Sequence, residues 1–291
     1  MTVLDVLNST TQELKVRRID NPRLNAELLL ARSMNVSREG LYVRLHGELG
    51  EKDRKEIEHL LQRRISGEPL QYILGQQEFW STRFKVDPRV LIPRPETEIL
   101  VEQALSMLSK ISLERRPVVL DIGTGSGAIA ISLAREWRNI RIIASDISRQ
   151  ALILARENAQ CSGVLEQIDF VNGDLFCPFT EREIFDLILS NPPYIRQSEM
   201  GQLPREIRDF EPAIALDGGE DGLDFYRKIV CQASSYLRKE GWLLMELGQG
   251  QHRKVSEMME ETGLFEGMDS VRDLSGIERV VRAQKVRGRK S

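Results

Sequence analysis

The sequence has little of what metal centres and disulfide scaffolds require. Only 3 cysteines and 3 histidines occur among its 291 residues, and both kinds are scattered along the chain. An odd, widely spaced set of cysteines indicates reduced thiols better than a disulfide framework or a zinc site. The sequence therefore supports neither metal catalysis nor a histidine-based triad.

Long apolar runs and a strong net charge are also missing. The apolar runs are too short to span a bilayer, and the N-terminus lacks the basic start and apolar stretch of a signal peptide. A formal charge of −3 gives no electrostatic reason to expect a nucleic-acid partner. With 41% hydrophobic and 29% charged residues, the chain is expected to be a globular, cytoplasmic monomer without a membrane partner.

Two units are expected along the chain. Leucines and isoleucines repeat with helical period over residues 1–74, which predicts a small helical bundle. Residues 75–95 become β-rich and predict a linking β-hairpin, with Asp87-Pro88 as its turn. Helical and strand patterns alternate over 96–284, which predicts a doubly wound, largely parallel α/β sheet. Residues 285–291 read as a basic tail.

The first chemical motif is a glycine-rich loop after the apolar stretch Val118–Ile122. Gly123, Gly125 and Gly127 would let the backbone turn sharply and present amides to an anion at a helix N-terminus. A plain tight turn explains the same glycines. The loop also fits a dinucleotide-binding pattern, so it does not by itself identify a ligand.

Two carboxylates follow the next two predicted strands. Asp146 could accept hydrogen bonds from both hydroxyls of an adenosine ribose, which NAD and S-adenosylmethionine share. Alternatively, it caps the helix that follows. Asp174 could meet the adenine edge, although the Asn-Gly-Asp sequence around it is also typical of a turn.

Asn191-Pro192-Pro193-Tyr194, after the apolar stretch 185–190, favours methyl transfer over hydride transfer. The Asn191 oxygen and the Pro192 carbonyl could each accept one N–H bond of a planar nitrogen and hold it in line with a methyl donor. The prolines would set the turn, and Tyr194 would cover the flat acceptor. If the fourth strand lies beside the first, Asn191 faces the glycine loop. A proline-rich strand terminator is the structural alternative.

Three further features have two interpretations each. Phe79 could wall the methyl-transfer pocket or pack in the core. The stretch 93–98, PRPETE, is typical of a helix start, and could also contact the cofactor or act as a hinge. Glu246 ends an apolar strand pattern and could lie near the site or cap the following segment.

Together these motifs resemble class I S-adenosylmethionine-dependent methyltransferases that act on planar nitrogen. Further blocks, in order over nearly the whole chain, are similar to the release-factor glutamine methyltransferase family (HemK/PrmC). The blocks are 70–101, 121–134, 191–195, 210–229, 245–251 and 273–281.

The resemblance implies a seven-stranded class I methyltransferase sheet with an antiparallel last hairpin, preceded by a helical bundle. It implies S-adenosylmethionine as cofactor and, as substrate, the glutamine N5 amide in the Gly-Gly-Gln motif of bacterial peptide-chain release factors. Asn191 and Pro192 would be catalytic. The glutamine would be held by Asn191, Pro192, Pro193, Tyr194 and Phe79. The cofactor would be held by Gly123, Thr124, Gly125, Ser126, Gly127, Asp146, Asp174, Leu175 and Asn191.

In some members an aromatic residue follows the Asp of the third strand. Here Leu175 stands at that position, so the adenine contact would be aliphatic or shifted to Phe176. Ser81 replaces a glycine that many members have in the hairpin. Two other classes stay open: an N-methyltransferase acting on an exocyclic amine of a DNA or RNA base, and a noncatalytic adaptor with the same fold.

Overall fold

A computed structural model describes residues 1–111 and 115–286. Its helices are α1 (Val3–Val16), α2 (Pro22–Ser33), α3 (Arg38–Val43), α4 (Glu51–Ile65), α5 (Leu70–Leu74), α6 (Thr97–Leu108), α7 (Ala128–Glu136), α8 (Arg149–Cys161), α9 (Gln197–Met200), α10 (Arg205–Arg208), α11 (Asp224–Tyr236) and α12 (His252–Thr262). Its strands are β1 (Gln76–Phe79), β2 (Thr82–Lys85), β3 (Val118–Ile122), β4 (Arg141–Asp146), β5 (Ile168–Asn172), β6 (Phe185–Ser190), β7 (Leu237–Glu246), β8 (Phe265–Arg272) and β9 (Glu278–Lys285).

The first compact unit comprises Met1–Gln76 together with the distant segment Pro204–Phe210. Its helices pack around a leucine-rich core, as the helical periodicity predicts. The buried guanidinium of Arg64 donates to Asn25 Oδ1 (2.8 Å) and pairs with Glu206 on α10 (2.9 Å). The ion pair ties the distant segment to this unit, which the sequence did not indicate.

The second unit comprises the rest of the chain and begins with the β1–β2 hairpin. Trp80 and Ser81 form its turn with φ of 48° and 52°, and a type I′ turn requires such positive values at both central positions. The expected turn at Asp87-Pro88 was therefore wrong. That pair forms a separate turn beyond β2, in which the Val90 amide donates to the Asp87 carbonyl (3.1 Å).

Within the described residues the main sheet has seven strands in the order β5-β4-β3-β6-β7-β9-β8. Strands β3 to β7 pair in parallel, and β9 runs antiparallel to both β7 and β8. The predicted fold class is confirmed, including the place of β6 directly beside β3. Lys285 ends β9, so the chain is still in a strand where the basic tail was expected to begin; residues 287–291 lie outside the described residues.

Alternate residues of the central strands pack on opposite faces of the sheet. Val119, Leu187 and Leu189 join the core beneath α6, α7 and α8, whereas Leu120 and Ile188 join the core beneath α11 and α12. This alternation follows from the two-residue period of a strand, and burial on both faces explains why β6 is apolar along most of its length. Each fully buried leucine stabilises the fold by about 1.5–3 kcal/mol.

The buried side chain of Asn158, on α8, joins the hairpin to the glycine loop. Its Oδ1 accepts from the Lys85 amide (2.8 Å), and its Nδ2 donates to the Lys85 carbonyl (3.1 Å) and the Ser126 carbonyl (2.9 Å). One side chain therefore satisfies backbone groups of two segments that are far apart in sequence.

Candidate active site

Three parallel strands end level with one another at one edge of the sheet. Ile122 on β3 is in register with Ser145 on β4 and with Ser190 on β6. The Ser190 hydroxyl donates to the Ile122 carbonyl (2.9 Å), which links two of these strand ends. The next residues of all three strands meet beside a cavity of about 300 Å³. Ligands of doubly wound sheets gather at this edge.

The glycine loop divides into residues that line this cavity and residues that support it. Gly123 and Gly125 line the cavity. Thr124 and Ser126 are buried behind them, and Gly127 begins α7 with φ of 83°. A Cβ at Gly127 would lie 2.8 Å from Ile131 Cδ1 and 3.2 Å from Ala155 Cβ on α8, and together with the left-handed backbone these distances favour glycine here. Of the five predicted loop residues, two therefore face the cavity.

Asp146 ends β4, and the loop amides hold its carboxylate at the cavity. The Gly125 amide donates to Oδ2 (2.9 Å) and the Ser148 amide to Oδ1 (2.8 Å). Burial raises the pKa of Asp146, while these two amides oppose the shift. The alternative role as a helix cap is not observed, because the Ser148 side chain caps α8. Each carboxylate oxygen keeps acceptor capacity for a ligand hydroxyl.

Asp174 and Leu175 follow β5, and both line the cavity. Leu175 has φ of 46°, an uncommon value for a leucine, and this value places it in the left-handed region. Phe176 is fully buried and stacks on Tyr236 with ring centroids 4.6 Å apart. The cavity contact at this position is therefore aliphatic, and the shift to Phe176 is not observed.

Asn191, Pro192 and Pro193 line the cavity opposite the glycine loop. Among the residues that the structure describes, neither Tyr194 nor Phe79 lines the cavity. Tyr194 is largely buried, and its backbone carbonyl accepts from Gln251 Nε2 (2.9 Å). Burial, followed by the charge of Glu246, raises the pKa of its phenol to about 12. Phe79 is in the core, with its ring centroid 6.0 Å from that of Phe84.

The sequence did not indicate the opposite wall of the cavity. Arg89, Val90 and Leu91 line it from the segment beyond the hairpin; Pro212, Ile214, Ala215, Phe225 and Lys228 line it from the segment between β6 and α11 and from α11 itself. Buried Glu211 joins the two segments, because it accepts from the Ile92 amide (3.2 Å) and from Arg94 (2.5 Å). Arg94, from the PRPETE stretch, thus contacts Glu211 of the other segment and does not itself line the cavity.

The sequence also did not indicate Asp121, which is fully buried on β3 directly before the glycine loop. Thr124 Oγ1 donates to its Oδ2 (2.7 Å), and the Ala130 backbone amide also interacts with the carboxyl group and lowers its pKa. Burial raises the pKa of Asp121 to about 7, and nearby Asp146 adds to the shift. A strand carboxylate without a cation is costly to ionise, and such groups concentrate at functional sites.

The raised pKa of Asp121 predicts a pH-dependent stability. The unfolded chain loses the Asp121 proton near the ordinary value of 3.8, but the folded chain keeps it until about 7, so this group destabilises the fold progressively as pH rises across that interval. Asp121→Asn should raise the free energy of unfolding at about pH 8 by on the order of 1–2 kcal/mol relative to the parent, and by less at about pH 5.

Tryptophan fluorescence during urea unfolding measures this effect in the second unit, since Trp80, Trp137 and Trp242 all lie there. Asp186→Asn is the matched control. Asp186 is also a buried sheet carboxylate, but Arg115 and Arg238 pair with it, so its replacement should lower stability. An equal loss of stability in both variants would contradict the prediction for Asp121.

Glu246 lies at the end of β7 and is 3% exposed. Burial raises its pKa to about 7, opposed mainly by a hydrogen bond from the Thr97 hydroxyl and in part by one from the Asn191 amide. Of its two interpretations, proximity to the Asn191 end of the site is the one observed. No group of three or more metal-ligating side chains and no helix suited to crossing a membrane is found in the described ranges.

The fold and the site together define an α/β methyltransferase domain. Residues 98–206 match the family model of the methyltransferase small domain, and residues 5–75 match that of the PrmC N-terminal domain. The fold is similar to a solved methyltransferase structure from Pyrococcus furiosus, with a TM-score of 0.50 and 18% identity over 80% of this chain and 98% of that one.

Sequence relatives identify the family. The chain is 42% identical to a release factor glutamine methyltransferase from Geobacter sulfurreducens, over 96% of this chain and 95% of the relative. It is 40% identical to one from Koribacter versatilis, over 98% and 99%. The chain belongs to the release factor glutamine methyltransferase family.

Proposed function

We propose that this chain transfers a methyl group from S-adenosylmethionine to the N5 side-chain amide of the glutamine in the Gly-Gly-Gln motif of bacterial peptide-chain release factors. The observation that carries the proposal is the position of Asn191-Pro192-Pro193 on the wall of the cavity that Gly123 and Asp146 also line. The relatives named above, which match over nearly their full length, supply the choice of substrate.

The cavity residues fit this cofactor. Gly123 and Gly125 leave room for a ligand beside the backbone, since a Cβ at either would meet nothing closer than 4.0 Å. Asp146 offers a fixed carboxylate for ribose hydroxyls, and Leu175 offers an apolar contact for a base. Buried Asp121, which accepts from the Thr124 hydroxyl, places a carboxyl group next to the loop. When bound, S-adenosylmethionine supplies an electrophilic methyl group on a positively charged sulfur.

The chain's own contribution is to position the substrate. An amide nitrogen is a poor nucleophile because its lone pair is delocalised. The Asn191 oxygen and the Pro192 carbonyl each accept an N–H bond of the substrate amide and hold its nitrogen in line with the methyl–sulfur bond. Gly123, Gly125 and Asp146 would hold S-adenosylmethionine, which would supply the methyl group and leave without it, while one N–H proton of the amide would pass to water. The residues accelerate this step by orientation and by fixed dipoles, without a covalent intermediate.

Mass spectrometry of the reaction products tests the proposal. Purified protein is incubated with S-adenosylmethionine and a bacterial release factor, with duplex and single-stranded nucleic acid as competing acceptors. The expected result is one added methyl group confined to the peptide that contains Gly-Gly-Gln. Methylation of nucleic acid alone would show that the substrate is an exocyclic amine of a base and not the glutamine amide. Cofactor binding without turnover on any acceptor would indicate an adaptor.

Asp146→Asn should weaken binding of S-adenosylmethionine about 10- to 100-fold, because an amide cannot accept from two backbone amides and two ribose hydroxyls at once. Isothermal titration calorimetry measures the dissociation constant. Asp169→Asn is the control, since Asp169 lies on the neighbouring strand β5 in an exposed pair with Arg141. Equal affinities for the parent and Asp146→Asn would contradict a role for Asp146 in cofactor binding.

A further inference from the structure

The carboxylate of Glu246 lies behind Asn191 and is almost completely buried. Its Oε2 has no hydrogen-bond partner within the ranges that the structure describes. Asn191 Nδ2 donates to Thr97 Oγ1 (3.1 Å), and Thr97, at the start of α6, is itself 4% exposed. The Thr97 hydroxyl and, with a smaller effect, the Asn191 amide hydrogen-bond to the Glu246 carboxylate. Two buried groups, from Thr97 and Glu246, thus form one hydrogen-bonded cluster with the half-buried Asn191 amide.

The ionised carboxylate determines the direction of every bond in this cluster. A carboxylate only accepts, so the Thr97 hydroxyl must donate its single proton to Glu246. Toward Asn191, the Thr97 oxygen can then only accept a hydrogen bond. It therefore accepts from Asn191 Nδ2. Because Nδ2 and Oδ1 lie on opposite branches of the amide, Oδ1 is left for the cavity that Asn191 lines.

We propose that Glu246 is a positioning residue that, through the Thr97 hydroxyl and its own contact with the Asn191 amide, holds Asn191 with its oxygen toward the substrate. The inference rests on the proposed function, in which the substrate is an amide that presents N–H donors. If the Asn191 amide were flipped, Nδ2 would face the N–H donors of the substrate. No hydrogen bond could form, because both groups are donors.

Protonation of Glu246 removes this constraint. A protonated carboxyl can donate to Thr97, which can then donate to Asn191 Oδ1 and so permit the flipped amide. The groups that face Glu246 are Glu96, which raises its pKa, Arg279, which lowers it, and the phenols of Tyr194 and Tyr226. Burial raises the pKa of Glu246 to about 7. The turnover number should therefore fall as pH drops through this value, because the protonated state no longer selects the productive orientation.

Two variants of Thr97 and one of Glu246 test the inference through kcat and KM for the release factor, measured from about pH 6 to about pH 8.5. Thr97→Val keeps the side-chain volume but removes the hydroxyl; it should lower kcat about tenfold and weaken its fall at low pH, because only the direct contact between Glu246 and Asn191 remains. Thr97→Ser should restore both. Glu246→Gln should also give a flat profile, since its amide does not titrate in this range. S-adenosylmethionine affinity should stay unchanged in all three variants.

Asp186→Asn is the control for loss of a buried sheet carboxylate. It should lower the melting temperature but keep the fall of kcat at low pH. A purely structural role for Glu246 and Thr97 would instead give variants with lower melting temperatures and the parent's pH profile, and this result would overturn the inference.

A second measurement separates this inference from the proposed function. With ¹⁵N-labelled asparagine, the Asn191 side-chain NH₂ resonances, assigned by their loss in Asn191→Ala, should shift with a midpoint at about pH 7 in the parent protein and should not shift in Glu246→Gln. If the resonances titrate but no release factor is methylated, the positioning role of Glu246 is supported and the proposed substrate is contradicted. Resonances that do not respond to pH between 6 and 8 would reject the positioning role itself, whatever the enzyme methylates.

Discussion

Replacement of Asn191 by alanine should lower turnover several hundredfold or more. The variant would lose the side-chain acceptor that holds the substrate nitrogen in line, and removal of one positioned hydrogen-bonding group from an electrostatic site typically costs about 10²–10³ in kcat. The loss should appear in kcat more than in the affinity for S-adenosylmethionine, because Gly123, Gly125 and Asp146 line the cavity independently of it.

Single-turnover methylation, combined with calorimetry of cofactor binding, separates these two effects. Asn139→Ala is a suitable control, since Asn139 is exposed just before β4. Turnover near that of the parent, with unchanged cofactor binding, would show that Asn191 does not hold the reacting nitrogen.

Gly127→Ala should lower the free energy of unfolding of the second unit by about 2–4 kcal/mol. An alanine would have to adopt φ of 83°, and its Cβ would lie 2.8 Å from Ile131 Cδ1 and 3.2 Å from Ala155 Cβ. The start of α7 would be displaced, and the glycine loop with it, so cofactor affinity should fall together with stability.

Gly163→Ala isolates the contribution of the backbone. Gly163 follows α8 with φ of 71°, and a Cβ there meets nothing within 4 Å. It should destabilise by only about 1 kcal/mol, which is the cost of the left-handed conformation alone. Tryptophan fluorescence in urea reports both variants. Equal destabilisation would mean that α7 can move away from α8 at little cost.

The strands of the sheet could be predicted because buried parallel strands are short, nearly continuous apolar segments between helical patterns. The edge that carries the candidate site followed from the same reasoning, since Gly123, Asp146 and Asn191 each stand at the end of such a segment. Topology alone brings them together, and the parallel pairing of β3 with β4 and β6 keeps their positions level.

The support behind the site could not be predicted in this way. Asp121, Thr97 and Glu246 are far apart in sequence; Asp121 and Glu246 are single polar residues in apolar strands, and Thr97 lies between two glutamates in the stretch 93–98. Their hydrogen bonds depend on side-chain packing across the sheet and α6, which no local pattern encodes. The hairpin turn was misplaced for a related reason: Asp-Pro is the stronger local turn signal, whereas Trp80-Ser81 is held partly by a tertiary bond from the Trp80 amide to Glu98 (2.7 Å).

The bridge made by Asn158 has a consequence for folding. Its single amide satisfies backbone groups of both the β1–β2 hairpin and the glycine loop, so detachment of either segment would leave part of the buried Asn158 amide unsatisfied. The two should therefore open together in native-state hydrogen exchange, as one cooperative unit. Any ligand that protects the glycine loop from exchange would then protect the hairpin amides as well, although the hairpin's Phe79 and Phe84 do not line the cavity.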